Sequence, residues 1–195
     1  MPGKVIYPDA DFEVEKELYP INTGYRLTGG FNLDIEGLPK GKHIPVLCPL
    51  AIDFKERMAR VVNNVRVYDK VESGATTIKV AKGSLASVGV SYMLSEDIFV
   101  TVYAVDTSNA EYDVLTVSGI SAAVSADAVL TECTVAASKA TAKRSANFLN
   151  YARTKIEDGA TVTALGQAYE IKEAELYIPL TKEDKEGLGD RFMFI

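Results

Sequence analysis

Asp97-Ile98-Phe99-Val100-Thr101-Val102-Tyr103-Ala104-Val105 decides how the rest of this chain is read. Ile98, Val100, Val102 and Ala104 share one side of an extended chain, and Phe99, Thr101, Tyr103 and Val105 share the other. Both sides are mostly apolar, which predicts a central strand. Asp106-Thr107-Ser108-Asn109 follows, four residues whose side chains bond their own backbone and favour a turn. Tyr112 to Val117 then reads as the return strand.

Working outward, the β signal persists. Val61, Val62, Val65, Val67 and Val71 are β-branched and suit a pleated surface. Thr76 to Val80 alternates cleanly before a turn at Lys82-Gly83-Ser84. Leu50 to Arg60 is ambiguous, because Leu50, Phe54 and Met58 also fit a helical stripe. The small residues of 119–142 allow either a short helix near Ser121 to Ala128 or closely packed strands. Asp158-Gly159, between Arg153–Glu157 and Ala160–Leu165, predicts a tight hairpin. A second strand pair is expected around Gly166-Gln167, and Tyr169 to Leu180 reads as a strand with a bulge at Glu173-Ala174. Thr181, with Asp184 three residues on, predicts a capped turn or two of helix closing at Gly187. The apolar end Phe192-Met193-Phe194-Ile195 belongs in a sheet or an interface.

Residues 1–45 have another character. They hold five of the seven prolines, and Asp9, Asp11, Glu13, Glu15 and Glu17 alternate, which places their carboxylates on one side of an extended chain. Proline blocks helix interiors and central strands. The expected organisation is an extended N-terminal arm over 1–45 and a body over 46–195. The body is mainly β, an antiparallel barrel or sandwich with one or two short helices. Tyr7, Phe12, Tyr19, Tyr25 and Phe31 are the side chains large enough to pin the arm to its own body or to a neighbouring subunit. The acid row lacks the Asx–Gly loop of a calcium site, so it reads as a solvated face.

Composition agrees with a globular chain: 195 residues, 47% hydrophobic and 25% charged, with mean hydropathy near zero. At that length roughly 70% of the unfolded surface can be buried, so no metal or disulfide staple is required. No apolar run reaches the ~20 residues of a membrane span. The start, MPGKVIYPDADFEVEKE, has no apolar core of an export leader, so synthesis in the cytoplasm is expected. The net charge is -6, against the basic footprint of nucleic-acid binding. The one candidate patch, Lys139, Lys143 and Arg144, reads as a solvated loop.

Chemistry is sparse. Cys48 and Cys133 lack metal-ligand spacing and read as buried thiols, a long-range disulfide being the other reading. His43 is the only histidine, and a hydrogen-bonded structural role is preferred for it. Gly41-Lys42 resembles the tail of a phosphate loop, but Ser or Thr does not follow, and Glu36 stands where the first glycine is needed. No serine elbow is present. With 27 acids no carboxylate pair is singled out. The expectation is a protein without enzymatic activity, cofactor or metal.

Gly41-Lys42-His43-Ile44-Pro45-Val46, Pro49-Leu50-Ala51-Ile52-Asp53-Phe54 and Thr77-Ile78-Lys79-Val80-Ala81-Lys82-Gly83 carry a family resemblance. It continues through Val105-Asp106-Thr107-Ser108, Tyr112-Asp113-Val114-Leu115, Tyr169-Glu170-Ile171 and Ile178-Pro179-Leu180-Thr181, and closes at Phe192-Met193-Phe194. Over most of residues 40–195 the chain resembles head fibre or capsid decoration proteins of tailed bacteriophages, of the kind seen in phages and prophages of Bacteroides-like gut hosts. Leu47-Cys48 stands where such proteins commonly have Gly-Thr. The resemblance implies a virion component: a β-barrel-like body, usually a symmetric homo-oligomer (a trimer or higher), anchored on the capsid through an extended N-terminal segment. Its partners would be itself and the major capsid protein or another virion protein, with no nucleic acid and no membrane. A carbohydrate- or surface-binding β module of a gut bacterium, using exposed tyrosines, is the alternative.

Overall fold

The computed structural model describes residues 17–195. Five strands come first: β1 (Tyr25–Arg26), β2 (Phe31–Asp34), β3 (His43–Ile44), β4 (Pro49–Asp53) and β5 (Met58–Val61). Seven follow, β6 (Asn64–Arg66), β7 (Thr77–Ala81), β8 (Ser91–Ser95), β9 (Ile98–Asp106), β10 (Tyr112–Val117), β11 (Val129–Ala136) and β12 (Lys139–Ala142). The chain then returns through β13 (Phe148–Asn150), β14 (Thr154–Lys155), β15 (Thr161–Val162) and β16 (Ala164–Ile171). It ends with the helix α1 (Lys182–Leu188) and β17 (Phe192–Phe194).

The middle strands form a nearly closed antiparallel barrel in the order β12-β11-β8-β9-β10-β7. The ring comes round through β6, which pairs with β11, while Val67 just beyond it bridges Val80 of β7. Alternation puts one side of each strand inside. Val100 and Val102 of β9 therefore meet Val65, Val80, Tyr92, Leu115 and Leu130 in a single apolar cluster. As expected, β9 is internal to the sheet, between β8 and β10. Its second side is less buried than its composition suggests, and Tyr103 is exposed. The turn after it uses Asp106, whose Oδ1 accepts from the Ser108 N–H at 2.9 Å.

The flanking segments build a second sheet in the order β1-β16-β13-β4-β5-β2-β15, with β17 beside β16. Two of its pairings are parallel, β2 with β5 and β16 with β17. Both faces of this sheet are covered. Phe148 and Ala164 lie in the cluster with Phe31, Leu50 and Ile52, while their neighbours Leu149 and Leu165 lie in the cluster with Leu18, Tyr19, Leu176 and Phe192.

Several expectations are corrected. Residues 25–45 are not an arm apart from the body, because β2 is an interior strand between β5 and β15 and β3 pairs with β14. Pro39 and Pro45 open turns beside these short strands, and Pro20 precedes a single 3-10 turn. Leu50 to Arg60 is the β4–β5 hairpin, its turn closed by Asp53 Oδ1 accepting from the N–H groups of Lys55 and Glu56 at 2.8 and 3.0 Å. No helix forms at Ser121 to Ala128, where Val124 bridges Val71 instead. Asp158-Gly159 does turn, with Gly159 at φ 77°, but the flanking strands pair with β3 and β2 rather than with each other. Gly166 lies inside the continuous β16, where it leaves room for Leu27 and the Tyr25 carbonyl. The strand expected to run to Leu180 stops at Ile171, and a single 3-10 turn replaces the bulge.

Thr181 caps α1 as expected, in a reciprocal box with Asp184. The helix runs one residue past Gly187 and closes at Gly189. Gly187 serves close packing, since a Cβ there would collide with the Ala146 carbonyl oxygen. Leu47 adopts φ 59° and makes the turn before β4 with a buried side chain.

Candidate functional site

The five aromatic residues singled out from sequence separate in the structure. Tyr7 and Phe12 lie outside the described residues. Phe31 is 1% exposed, with its ring edge-on to Phe54 at 5.5 Å and under the Arg57 guanidinium at 4.6 Å, so it is a core residue. Tyr19 is 7% exposed and belongs to the cluster around Leu165 and Phe192. Burial, and then nearby Tyr151, raises its phenol pKa above the ordinary value. Of the three described, only Tyr25, 61% exposed on β1 at the end of the sheet, faces solvent.

Tyr25 is not alone. The segment leading into β1 runs along β16, fastened by the Lys172 N–H to the Leu18 carbonyl at 3.0 Å and by the Tyr169 N–H to Thr23 Oγ1 at 3.2 Å. On these neighbouring segments Ile21, Tyr25, Tyr169 and Met193 are all exposed, Ile21 at 73%. Water is a poor solvent for such groups when they gather, and gathered apolar side chains mark contact surfaces. Tyr25 and, through the apolar run 192–195, Met193 were visible in the sequence. Ile21 and Tyr169 depend on β16 being flanked by β1 and β17, a long-range fact.

A cleft of about 390 Å³ opens where the barrel meets the second sheet. Leu18, Lys42, His43, Pro45, Val46, Lys82, Gly83, Arg153 and Tyr177 line it. The β3–β14 pair presents Lys42 and His43 beside Arg153, and the turn after β7 brings Lys82. Lys42 Nζ donates to the Ser84 carbonyl at 3.1 Å, across the seam. Lys82 Nζ donates to the carbonyls of Thr107 and Asn109 and to Asp113 Oδ1 at 2.9 Å. His43 is exposed here.

The other sequence candidates resolve into structural roles. Lys139 pairs with Glu96 at 3.0 Å, Lys143 with Glu132 at 2.6 Å, and Arg144 donates to the Val61 carbonyl, so the basic patch is spent internally. Cys48 and Cys133 are free, buried thiols, Cys48 within the cluster around Phe31 and Leu50, and no disulfide joins them. Burial raises both pKa values, that of Cys133 to about 11 with help from Glu132. Among the described residues no group of three or more His, Cys, Asp or Glu is placed to hold a metal, and no helix is long and apolar enough to cross a membrane.

The fold defines a mainly β protein with a nearly closed antiparallel barrel and a cleft at its seam with the second sheet. Comparison with family models, curated proteins and solved structures finds no match.

Proposed function

We propose that this chain is a non-enzymatic structural component of a phage virion, a head fibre or capsid decoration protein. It works by forming interfaces with copies of itself and with the capsid. The observation that carries this reading is the exposure of Ile21, Tyr25, Tyr169 and Met193, large apolar side chains on β16 and the segments next to it. Aromatic and large apolar anchors supply a disproportionate share of binding energy in protein contacts. The family resemblance supports the reading from the sequence side.

The test has two measurements on the full chain: sedimentation for oligomeric state, and co-sedimentation with empty particles assembled from a tailed-phage major capsid protein. A stable oligomer that binds particles, weakened by Ile21→Ser with Tyr25→Ser, is expected. A monomer at high concentration that binds no particle overturns the proposal. So does saturable binding on a glycan array by that monomer, which would indicate the carbohydrate-binding module.

A further inference from the structure

We infer that the tip of the β4–β5 hairpin docks an acidic segment of another protein, one that carries an apolar side chain among its carboxylates. This goes beyond the interface reading, since it concerns other residues and names the chemistry of what covers them.

The site is built around Phe54. Its ring is 54% exposed and leans edge-on against Phe31 at 5.5 Å and Phe148 at 5.4 Å. Each of those inner rings carries a guanidinium, Arg57 over Phe31 and Arg191 over Phe148, both at 4.6 Å. A guanidinium stacked on a ring keeps the N–H groups along its edge for acceptors. Arg57 donates to the Gly30 carbonyl at 2.7 Å and Arg191 to the Asn147 carbonyl at 2.8 Å, both neutral acceptors. Most of the donors of each remain. Lys55, exposed next to Phe54, adds an ammonium.

The acids around this tip are spent elsewhere. Asp53 accepts from the N–H groups of Lys55 and Glu56, and Glu56 and Asp34 both pair with Arg60 at 3.2 Å. Asp190 precedes Arg191 in the chain but forms no pair with it. Among the described residues no carboxylate therefore pairs with Lys55, Arg57 or Arg191, on a chain whose net charge is -6. The backbone adds an independent sign. Arg57 has φ 57°, a left-handed conformation that side chains rarely adopt, and strain of this kind gathers at ligand clamps. Gly29 leaves the room it needs, since a Cβ there would collide with the Arg57 guanidinium.

Charge selects the occupant. The same patch on a second copy would set these cations against each other, and a nucleic-acid strand would meet the net negative field of the chain. Carboxylates of an acidic segment fit the guanidinium forks, and an apolar side chain between them covers the Phe54 ring.

Biolayer interferometry tests this with the full chain in solution over an immobilised ten-residue peptide of aspartates around a single central leucine. Saturable binding is expected, at least fivefold weaker when serine replaces the leucine, and falling at high salt, where exposed charges are screened. Lys55→Gln and Arg57→Gln, each with its fold checked by circular dichroism, are expected to weaken it at least threefold. The ammonium lost in Lys55→Gln bonds to nothing among the described residues, so that variant reads binding and not folding. Absence of saturable binding overturns the inference, and so does equal binding of the serine peptide, equal or tighter binding of a thymidine oligonucleotide, or undiminished binding by both variants. Loss of self-association in these variants, measured by sedimentation, would make the occupant a second copy and overturns it as well. The peptide measurements involve no capsid particle, so their failure leaves the virion reading standing.

Discussion

Asp184 Oδ2 accepts a 2.8 Å hydrogen bond from the Asn64 side chain, joining the helix to the first barrel strand across 120 positions of sequence. Both residues are buried. The same carboxylate accepts from the N–H and hydroxyl of Thr181 through Oδ2 and from the Ala146 N–H through Oδ1. Asn64 also donates to the Pro179 carbonyl and accepts from the Thr131 hydroxyl. A buried carboxylate is tolerated where donors replace its water, and here they come from β6, the segment before β13 and the helix cap. Asp184→Ala strips partners from several buried groups and is expected to cost about 3 kcal/mol in urea unfolding. Asn64→Ala is expected to cost somewhat less, and the double variant less than the sum of the two.

Gly187 and Gly159 make a contrasting pair. Gly187 has no room for a side chain against Ala146, so Gly187→Ala forces the helix and residue 146 apart, at an expected ~2–3 kcal/mol. Gly159 faces open space but has φ 77°, so Gly159→Ala pays only the left-handed backbone cost, ~1–2 kcal/mol. Thermal melts of the two variants check the order.

Burial of the two thiols makes stability fall in alkali. Their folded pKa values lie above the unfolded value, so the folded state binds more protons between the two. The stabilisation is complete below the unfolded pKa near 9 and is lost as pH rises through the folded value, about 11 for Cys133. Melting temperature is expected to drop steadily above pH 9, less steeply in Cys133→Ala. In the native protein at pH 8, thiol reagents should modify Cys133 slowly and Cys48 only on unfolding, as an absorbance assay would show.

Ile21→Ser and Tyr25→Ser remove apolar groups that the fold leaves in solvent. Their effect on urea unfolding is expected to stay within about 0.5 kcal/mol, as for other surface changes. Self-association measured by sedimentation is expected to weaken at least tenfold in the double variant. Phe31→Ala, from the same sequence group, is expected to do the opposite: it costs about 3–5 kcal/mol of stability through a core cavity.

Local order was written in the sequence wherever neighbours alone decide it. Period-two alternation marked β9 and its return strand, Asp106 marked the turn, and Thr181 with Asp184 marked the helix start. Each rests on side-chain geometry within a few residues. Tertiary structure alone decided which strands pair and which aromatics stay in water. Phe31 and Tyr25 look alike in the sequence, yet one sits on a strand between β5 and β15 and the other on β1, last in the order of the described strands. The cleft at the seam likewise draws on residues 18 to 177, far apart along the chain. Alternation tells a strand which of its sides to bury, but the partner that covers that side is chosen by packing over the whole molecule.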